Sequence, residues 1–558
     1  MATESSQAPA TPETADEFAA FWAEGDFPTR PGVRVRTLID GRAAMLAMCR
    51  SFLSAQRYIL LAGWDIRADL LMVRGEDAHV GADGSAEQNE LIEGLRKEGL
   101  SEEAVALWNA GRLQVRDVLG FAAQHGVKVG VLLWEAPQFG VHITNDPLEQ
   151  QRLLQEVGVD CLLDNSSVKI THLMEALHQK CAVVDGRIAY VGGIDLTLQA
   201  DGDYDRWDTH FHPAESTERG SAHSASMHPW HDAHTRVEGP VVADVQRNIT
   251  QRWMEVAARR DGPTWPGDLP DEPPAPVAGG AQAQIVRSIP KATYEFAPEG
   301  IFTIHQAYVR AVAAARRYIY LESQYLWPES YRGLDNLLWG GRSDEMVAFL
   351  DAVGDALNRG VLVAIVVPDH PNVGRRFTDA GFDHLRKRAP DAAAAGRLLA
   401  LTLGADSRNE NAPEGIYYRP VYVHAKVGIV DDRWITVGSA NLNNRGFGGD
   451  AELNISLADP RVAADTRLAL WIEHLQASLD ESTALRDVER GFTALGEQAE
   501  ANFERVNSRQ PLQGHVLPYI TFGESESRGL SIDPDHGWLD CLEGGVGPTP
   551  EAYENRYL

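Results

Sequence analysis

The sequence predicts an α/β protein made of two similar α/β/α sandwich domains packed as a pseudo-dimer. Three observations predict it. The chain has 558 residues, too many for one hydrophobic core. A segment with six prolines, residues 261–280, separates two large blocks of globular composition. The two blocks then repeat one order of elements, ending in one polar motif that occurs twice.

The elements follow in chain order. Residues 1–29 read as a flexible N-terminal tail, rich in Ser, Thr, Pro and Ala at its start. The first half spans 30–258. In it the amphipathic pattern of residues 45–57 leads into the apolar strand YILLAGWD, 58–65. A helix, a glycine and a second strand, HGVKVGVLLWE at 125–135, come next. The Pro-rich linker occupies 259–282, and the second half spans 283–480. There residues 304–317 lead into YIYLESQY, 318–325, followed by NRGVLVAIVVPD at 358–369. Continuous apolar strands alternating with helices indicate strands covered on both faces. Residues 481–558 form a C-terminal extension with too few periodic apolar positions to predict a fold.

Composition narrows the function. The net charge is −29, from 51 basic and 80 acidic residues. It argues against a surface built to wrap nucleic acid and against a polybasic membrane anchor, but leaves room for a small basic pocket. Cys49, Cys161, Cys181 and Cys541 form no CxxC pair, so neither a thiolate zinc site nor a disulfide scaffold is expected. No apolar run reaches 18 residues and no signal peptide is visible, which predicts a cytoplasmic or peripheral membrane protein and leaves open export by a route without such a signal. Richness in Ala and Arg fits a high-GC bacterial gene. The thirteen tryptophans, among them Trp134, Trp207, Trp230, Trp327, Trp339 and Trp434, are read mainly as core and rim packing, with weak support for a lipid-facing mouth.

The repeated motif carries the chemistry. HQKCAVVDGRIAYVGGIDL begins at His178 and HAKVGIVDDRWITVGSANL at His424. Both read H-x-K, four residues, D, six residues, then G-[GS]-x-[DN]. Buried histidines and lysines are costly unless they are used. His178 and Lys180 share one strand face, as do His424 and Lys426. Asp185 and Asp431 sit at turns, where they are expected to anchor the loop or pair with a cation. Gly193 and Ser439 let the chain turn closely around an anion, and Asp195 and Asn441 brace that turn or point into the site. Two histidines can divide nucleophilic and acid–base work across one phosphorus, while two lysines hold the non-bridging oxygens. One phosphate must reach both rings, so they should lie within about 6 Å in a shared pocket. No carboxylate cluster is spaced for a metal, and this chemistry requires no cofactor.

With these motifs the chain resembles the phospholipase D superfamily over residues 30–480, most closely the eukaryotic-type enzymes and their bacterial relatives. LLAGWDI (60–66), PWHDAHTRVEGP (229–240), QIVRS (284–288), YIYLESQY (318–325) and LALWIEHL (468–475) carry the closer similarity. The resemblance implies a pseudo-twofold phospholipase D fold with one site between the halves. It implies His178 as nucleophile, His424 as general acid, and Lys180 and Lys426 as phosphate holders, with Asp185 and Asp431 completing the catalytic set. Asp232 would orient His178, and Glu452 would orient His424. Gly193, Asp195, Gln324, Ser439 and Asn441 would line the substrate. Ser323 departs from the family's common ENQY. The residues before the first block are too few for the C2, PX or PH domains of the larger relatives.

The implied reaction is hydrolysis of the distal phosphodiester of a glycerophospholipid to phosphatidic acid and head-group alcohol. It would pass through a phosphohistidine, with transfer to an alcohol as a further outcome. Implied partners are glycerophospholipids at a membrane surface and water or a small alcohol as acceptor; nucleic acid is disfavoured and no protein partner is predicted. Calcium stimulation is expected, if at all, at the lipid surface. The alternatives are a cardiolipin-synthase-like phosphatidyltransferase and a phosphodiesterase or nuclease of the same superfamily.

Overall fold

The computed structural model describes residues 18–78, 84–136, 144–167, 175–198, 205–216, 218–220, 228–329, 341–370, 374–408, 416–534 and 537–539. Trp339, Cys541, the first 17 residues of the predicted tail and the end of the C-terminal extension lie outside them.

Each half is a mixed sheet, and the two sheets have the same strand order. In the first, Arg30–Ile39, Ala233–Glu238, Ile188–Gly192, Cys181–Val184 and Tyr58–Gly63 pair antiparallel in turn. Lys128–Trp134 and Asp160–Asp164 continue the sheet in parallel. In the second, Ala281–Ile289, Glu452–Ala458, Trp434–Gly438, Val427–Val430 and Tyr318–Glu322 pair antiparallel. Leu362–Val366 and Leu398–Arg408 again continue in parallel. The repeat read from sequence is therefore a repeat of topology. The two sheets join edge to edge where Arg30–Ile39 pairs with Ala281–Ile289.

The layers follow from which face each residue set buries. Met45, Cys49 and Phe52 of the helix Asp40–Leu53 pack on one face of the first sheet with Leu61, Val131 and Leu133. Ile304, Tyr308 and Val312 of the helix Thr303–Ala314 do the same in the second half, against Ile319, Val363 and Ile365. The opposite sheet faces meet in one continuous core. It contains Val191 and Val237 from the first half and Val437 and Leu453 from the second. It also takes Trp253 and Trp471 from the helices Val242–Arg260 and Pro460–Leu475. Burial of each such side chain contributes roughly 1.5–3 kcal/mol, so the halves are not independent bodies.

Sequence and structure differ at both ends. Phe18 and Phe21 are buried in the second half's core, and Gln284 Oε1 accepts the Ala23 N–H at 3.0 Å, so the chain packs well before Arg30. The apolar spacing there was too short to register as a pattern. Beyond residue 480, the helix Val488–Asn507 and the strand Val516–Pro518 add to the second half, the strand pairing antiparallel with Leu401–Leu403. Cys49, Cys161 and Cys181 are buried free thiols. Trp134, Trp207, Trp230, Trp327 and Trp434 are buried as well. Among the described residues no helix is long and apolar enough to cross a membrane.

Candidate active site

Two short parallel contacts between the halves build the site. Trp230–His231 pairs with Tyr422–Val423, Tyr422 opposite Trp230 and Val423 opposite His231. One residue further along, His424 stands opposite Asp232, and its Nδ1 lies 2.6 Å from Asp232 Oδ2. Leu177 bridges Ala451 in the same sense. One residue on, His178 Nδ1 lies 2.9 Å from Glu452 Oε1 and 3.1 Å from Oε2. Each histidine thus takes its carboxylate from the opposite half. This corrects the expected pairing: Glu452 orients His178, and Asp232 orients His424. The reason is the register of the crossing segments, which no spacing within one half reveals. The ring centroids of His178 and His424 are 6.5 Å apart, slightly beyond the expected 6 Å. With both Nδ1 atoms occupied by carboxylates, the two Nε2 atoms are left for a shared phosphorus.

The lysines sit beside the histidines on extended chain just before the strands Cys181–Val184 and Val427–Val430. Lys180 Nζ donates to the His178 carbonyl at 2.7 Å and ion-pairs with Asp195 Oδ2 at 3.1 Å. Trp64 lies under it, 5.4 Å from Nζ to ring centroid. Lys426 donates to the His424 carbonyl and lies 3.5 Å from Gln324 Oε1, which also accepts from Asn441 Nδ2 at 3.3 Å. The halves differ here in charge: Lys180 has a carboxylate neighbour, whereas at the matching places Lys426 has the amides of Asn441 and Gln324. Ser439 Oγ donates to Glu452 Oε2 at 2.5 Å. Gly193 holds the matching place in the first half, where a Cβ would collide with Asp232 Oδ1.

Asp185 and Asp431 lie away from this group. Asp185 accepts the N–H groups of Gln56, Arg57 and Tyr58, and Asp431 those of Arg316, Arg317 and Tyr318. Both hold a left-handed φ, 54° and 57°. They anchor the strand entry that precedes each half's central strand, so their place in the catalytic set is corrected to a structural one.

A family model described as Phospholipase D matches residues 107–337, and one described as Cardiolipin synthase, PLD-like domain, matches residues 308–471. Each takes in one copy of the motif. The chain belongs to the phospholipase D superfamily. Phospholipase D alpha 1 of Cynara cardunculus is 28% identical over 545 residues, covering 73% of this chain and 64% of that relative. Phospholipase D beta 2 of Arabidopsis thaliana is 22% identical over 646 residues, covering 91% of this chain and 64% of the relative. The chain matches 64% of the length of each of these relatives, a little under two thirds. Among solved structures, the phosphatidylserine synthase of Haemophilus influenzae Rd KW20 is 12% identical with a TM-score of 0.47, over 82% of this chain and 88% of that one.

The electrostatics of this phospholipase D-type site favour neutral imidazoles at rest. Burial, then Lys180 and Lys426, holds the His178 ring well below its usual value. Burial, then Lys426, Arg206 and Lys180, does the same for His424. Burial pushes the carboxyls of Asp232 and Glu452 up. Each histidine–carboxylate pair then shares a proton on the Nδ1 side and presents a bare Nε2 lone pair. Burial also lowers the Lys426 ammonium to about 7, with Asp232 and Glu452 opposing and Lys180 and Arg206 assisting.

Several residues of the site carried no sequence signal of their role. Trp64 meets the His178 ring edge-on, centroids 5.9 Å apart. Trp230 stacks flat on Tyr422 at 4.5 Å and lies 4.9 Å from His424. Arg206 lies over Trp230, 4.0 Å from its centroid, and adds a third cation behind the two lysines. Trp64 and Trp230 fall in stretches that carry the family resemblance; Arg206 does not. Outside the site, among the described residues, Asp40, His212, His231 and Glu473 converge as a group able to hold a metal ion, as do His231, Glu322 and His474.

Proposed function

We propose that this protein is a phospholipase D that cleaves the distal phosphodiester of glycerophospholipids. The observation that supports it is the pair of histidine–carboxylate couples facing each other with ring centroids 6.5 Å apart, flanked by Lys180 and Lys426. His178 Nε2 attacks phosphorus, and the head-group oxygen leaves with a proton from His424. Arrival of the anionic phosphate raises the proton affinity of His424, which is low at rest, so that its Nε2 takes up a proton from solvent before transfer. The lysines hold the non-bridging oxygens through transfer. The phosphatidyl group then rests on His178, and His424 takes a proton from water, which releases phosphatidic acid. Beyond the proton His424 draws from solvent and the attacking water, the protons and charges in this scheme are carried by residues of the site, without a metal at the reacting atoms. The enzyme would act peripherally, at a lipid surface.

A second reading, transfer of the phosphatidyl group to an alcohol, is favoured by the match of residues 308–471 to the cardiolipin synthase model. The same intermediate serves both. An assay on mixed phospholipid vesicles, with and without ethanol, tests them together. Phosphatidic acid alone, or with phosphatidylethanol when ethanol is present, is expected. No lipid product, with turnover of a nucleic acid, would replace this reading by the nuclease alternative.

A further inference from the structure

Behind His424 lies a second polar centre that the reaction does not use. Its donors come from four places in the chain. Asp40 opens the helix Asp40–Leu53, His212 lies in a loop, His231 ends the short strand Trp230–His231, and Glu473 projects from the helix Pro460–Leu475. All four side chains are buried. One ligand atom from each falls within 4.8 Å of the others. His231 Nδ1 is 2.9 Å from Glu473 Oε1 and 3.2 Å from Asp40 Oδ1, and His212 Nε2 is 3.1 Å from Glu473 Oε1 and 3.6 Å from Asp40 Oδ2.

These separations are informative. Ligand atoms about 2.0–2.1 Å from a tetrahedral centre stand about 3.3–3.4 Å from one another. The contacts to Glu473 Oε1, 2.9 and 3.1 Å, and to Asp40, 3.2 Å at Oδ1 and 3.6 Å at Oδ2, lie about that value, and the remaining pairs fall within 4.8 Å. His231 Nδ1 and Asp40 Oδ2 are buried without an aligned hydrogen-bond partner despite their short contacts. That is expected of lone pairs aimed at a common centre. The far nitrogen of each histidine is held by a carboxylate: His212 Nδ1 by Asp208 Oδ2 at 3.3 Å, and His231 Nε2 by Glu322 Oε2 at 3.0 Å. A carboxylate behind each imidazole is the usual outer layer of a metal-bound histidine. In the first group the His212 Nε2–Glu473 Oε1 contact is also an aligned hydrogen bond, while those of His231 Nδ1 are not. In the second group, around Glu322, the contacts from His231 and His474 are both aligned hydrogen bonds, and Tyr320 donates to the same carboxylate at 2.5 Å. It forms the outer layer of the first group.

We propose that Asp40, His212, His231 and Glu473 bind a first-row divalent cation, zinc by ligand set and geometry. Two imidazoles and two carboxylates converging in a buried four-donor group suit zinc and do not suit calcium or magnesium, which take more ligands, nearly all oxygen. The cation offsets the buried carboxylates of Asp40, Glu473, Asp208 and Glu322. It also ties the halves, since Glu473 comes from the second and the other ligands from the first. Its link to the active site runs through the backbone. The Asp232 N–H donates to Asp40 Oδ1 at 3.2 Å, and the His424 N–H donates to the His231 carbonyl at 2.7 Å. The site positions the Asp232–His424 couple and does not touch the reacting atoms.

Elemental analysis and X-ray absorption on the full chain, expressed in minimal medium with zinc or with cobalt, test this. About one cation per chain is expected, with a nitrogen–oxygen shell, imidazole scattering, and for cobalt the intense visible absorption of a tetrahedral site. Protein free of both metals would overturn the proposal. So would a sulfur-containing shell. Metal retained in full by both His212→Gln and Glu473→Gln would place it elsewhere. The spectra of the unmodified protein decide the matter if those variants fail to fold.

Discussion

Glu452, on the first strand after the second motif, holds the Nδ1 of His178 in the other half at 2.9 Å. Asp232 returns the favour to His424 at 2.6 Å. Each half therefore supplies a histidine whose tautomer the other half sets. Glu452→Gln keeps the size of the side chain but offers an amide. It should lower kcat by at least roughly 100-fold, since loss of the orienting carboxylate in a comparable histidine couple costs about 10⁴-fold. The loss should fall on adduct formation at His178, measured by rapid quench. Asp232→Asn should leave adduct formation from an activated substrate largely intact. Equal loss of the first step in both variants would show that the crossed pairing does not divide the chemistry.

The pH profile follows from Lys426, whose ammonium is lowered by burial to about 7. A protonated Lys426 holds the phosphate, so the free enzyme binds productively below about pH 7 and loses that charge above it. kcat/KM, which reports the free enzyme, should decline above about pH 7. Bound phosphate favours the charged lysine, so the decline in kcat should begin at higher pH. Lys426→Arg, charged throughout, should remove the alkaline limb from kcat/KM. A kcat/KM that is flat to about pH 9 would contradict the assignment.

Much of the fold was legible because it is written twice. The patterns around Tyr58–Gly63 and Tyr318–Glu322 are continuous apolar runs, and both became central strands. The motif residues were legible because two buried His–x–Lys sets at equal spacing have few purposes. The turn positions of Asp185 and Asp431 were also readable, and their local role agrees with the three backbone N–H groups each accepts. The carboxylate pairing was not readable, because it depends on the register of Trp230 against Tyr422 and of Leu177 against Ala451. Separation in sequence hid the cluster of Asp40, His212, His231 and Glu473 for the same reason: its members meet only after both halves close. Arg206 gave no signal because a single arginine beside a tryptophan is common, and its stacking on Trp230 is a tertiary fact.

Chelation separates the two polar centres. The couples of His178 and His424 and the two lysines account for attack, proton transfer and charge. Brief treatment with EDTA should therefore leave turnover of a monomeric soluble substrate unchanged. The buried cluster around His231 is closed by protein on all sides and should exchange any cation slowly. Immediate loss of turnover, restored within mixing time by a divalent ion, would put a metal at the reacting atoms. A change seen only on aggregated lipid would instead concern the surface.

The division of labour between the histidines is the sharpest test, because the two couples are nearly symmetric. His424 is buried and His178 partly exposed, and both rings are held well below their usual pKa, so their electrostatics alone do not choose the nucleophile. The matching neighbours differ: Lys180 is neutralised by Asp195, whereas Lys426 has the amides of Gln324 and Asn441. We assign attack to His178 and proton donation to His424. Replacing either should remove at least roughly 10³-fold of the activity on a natural lipid, since covalent attack and leaving-group protonation each need one histidine. A substrate with a very acidic leaving group departs without a proton. On it, His424→Ala should retain the first step far better than His178→Ala, and a phosphoryl adduct should accumulate on His178. Mass spectrometry of a rapidly quenched digest locates it. An adduct on His424 in the unmodified protein, with none on His178, would reverse the roles while leaving the two-histidine mechanism in place.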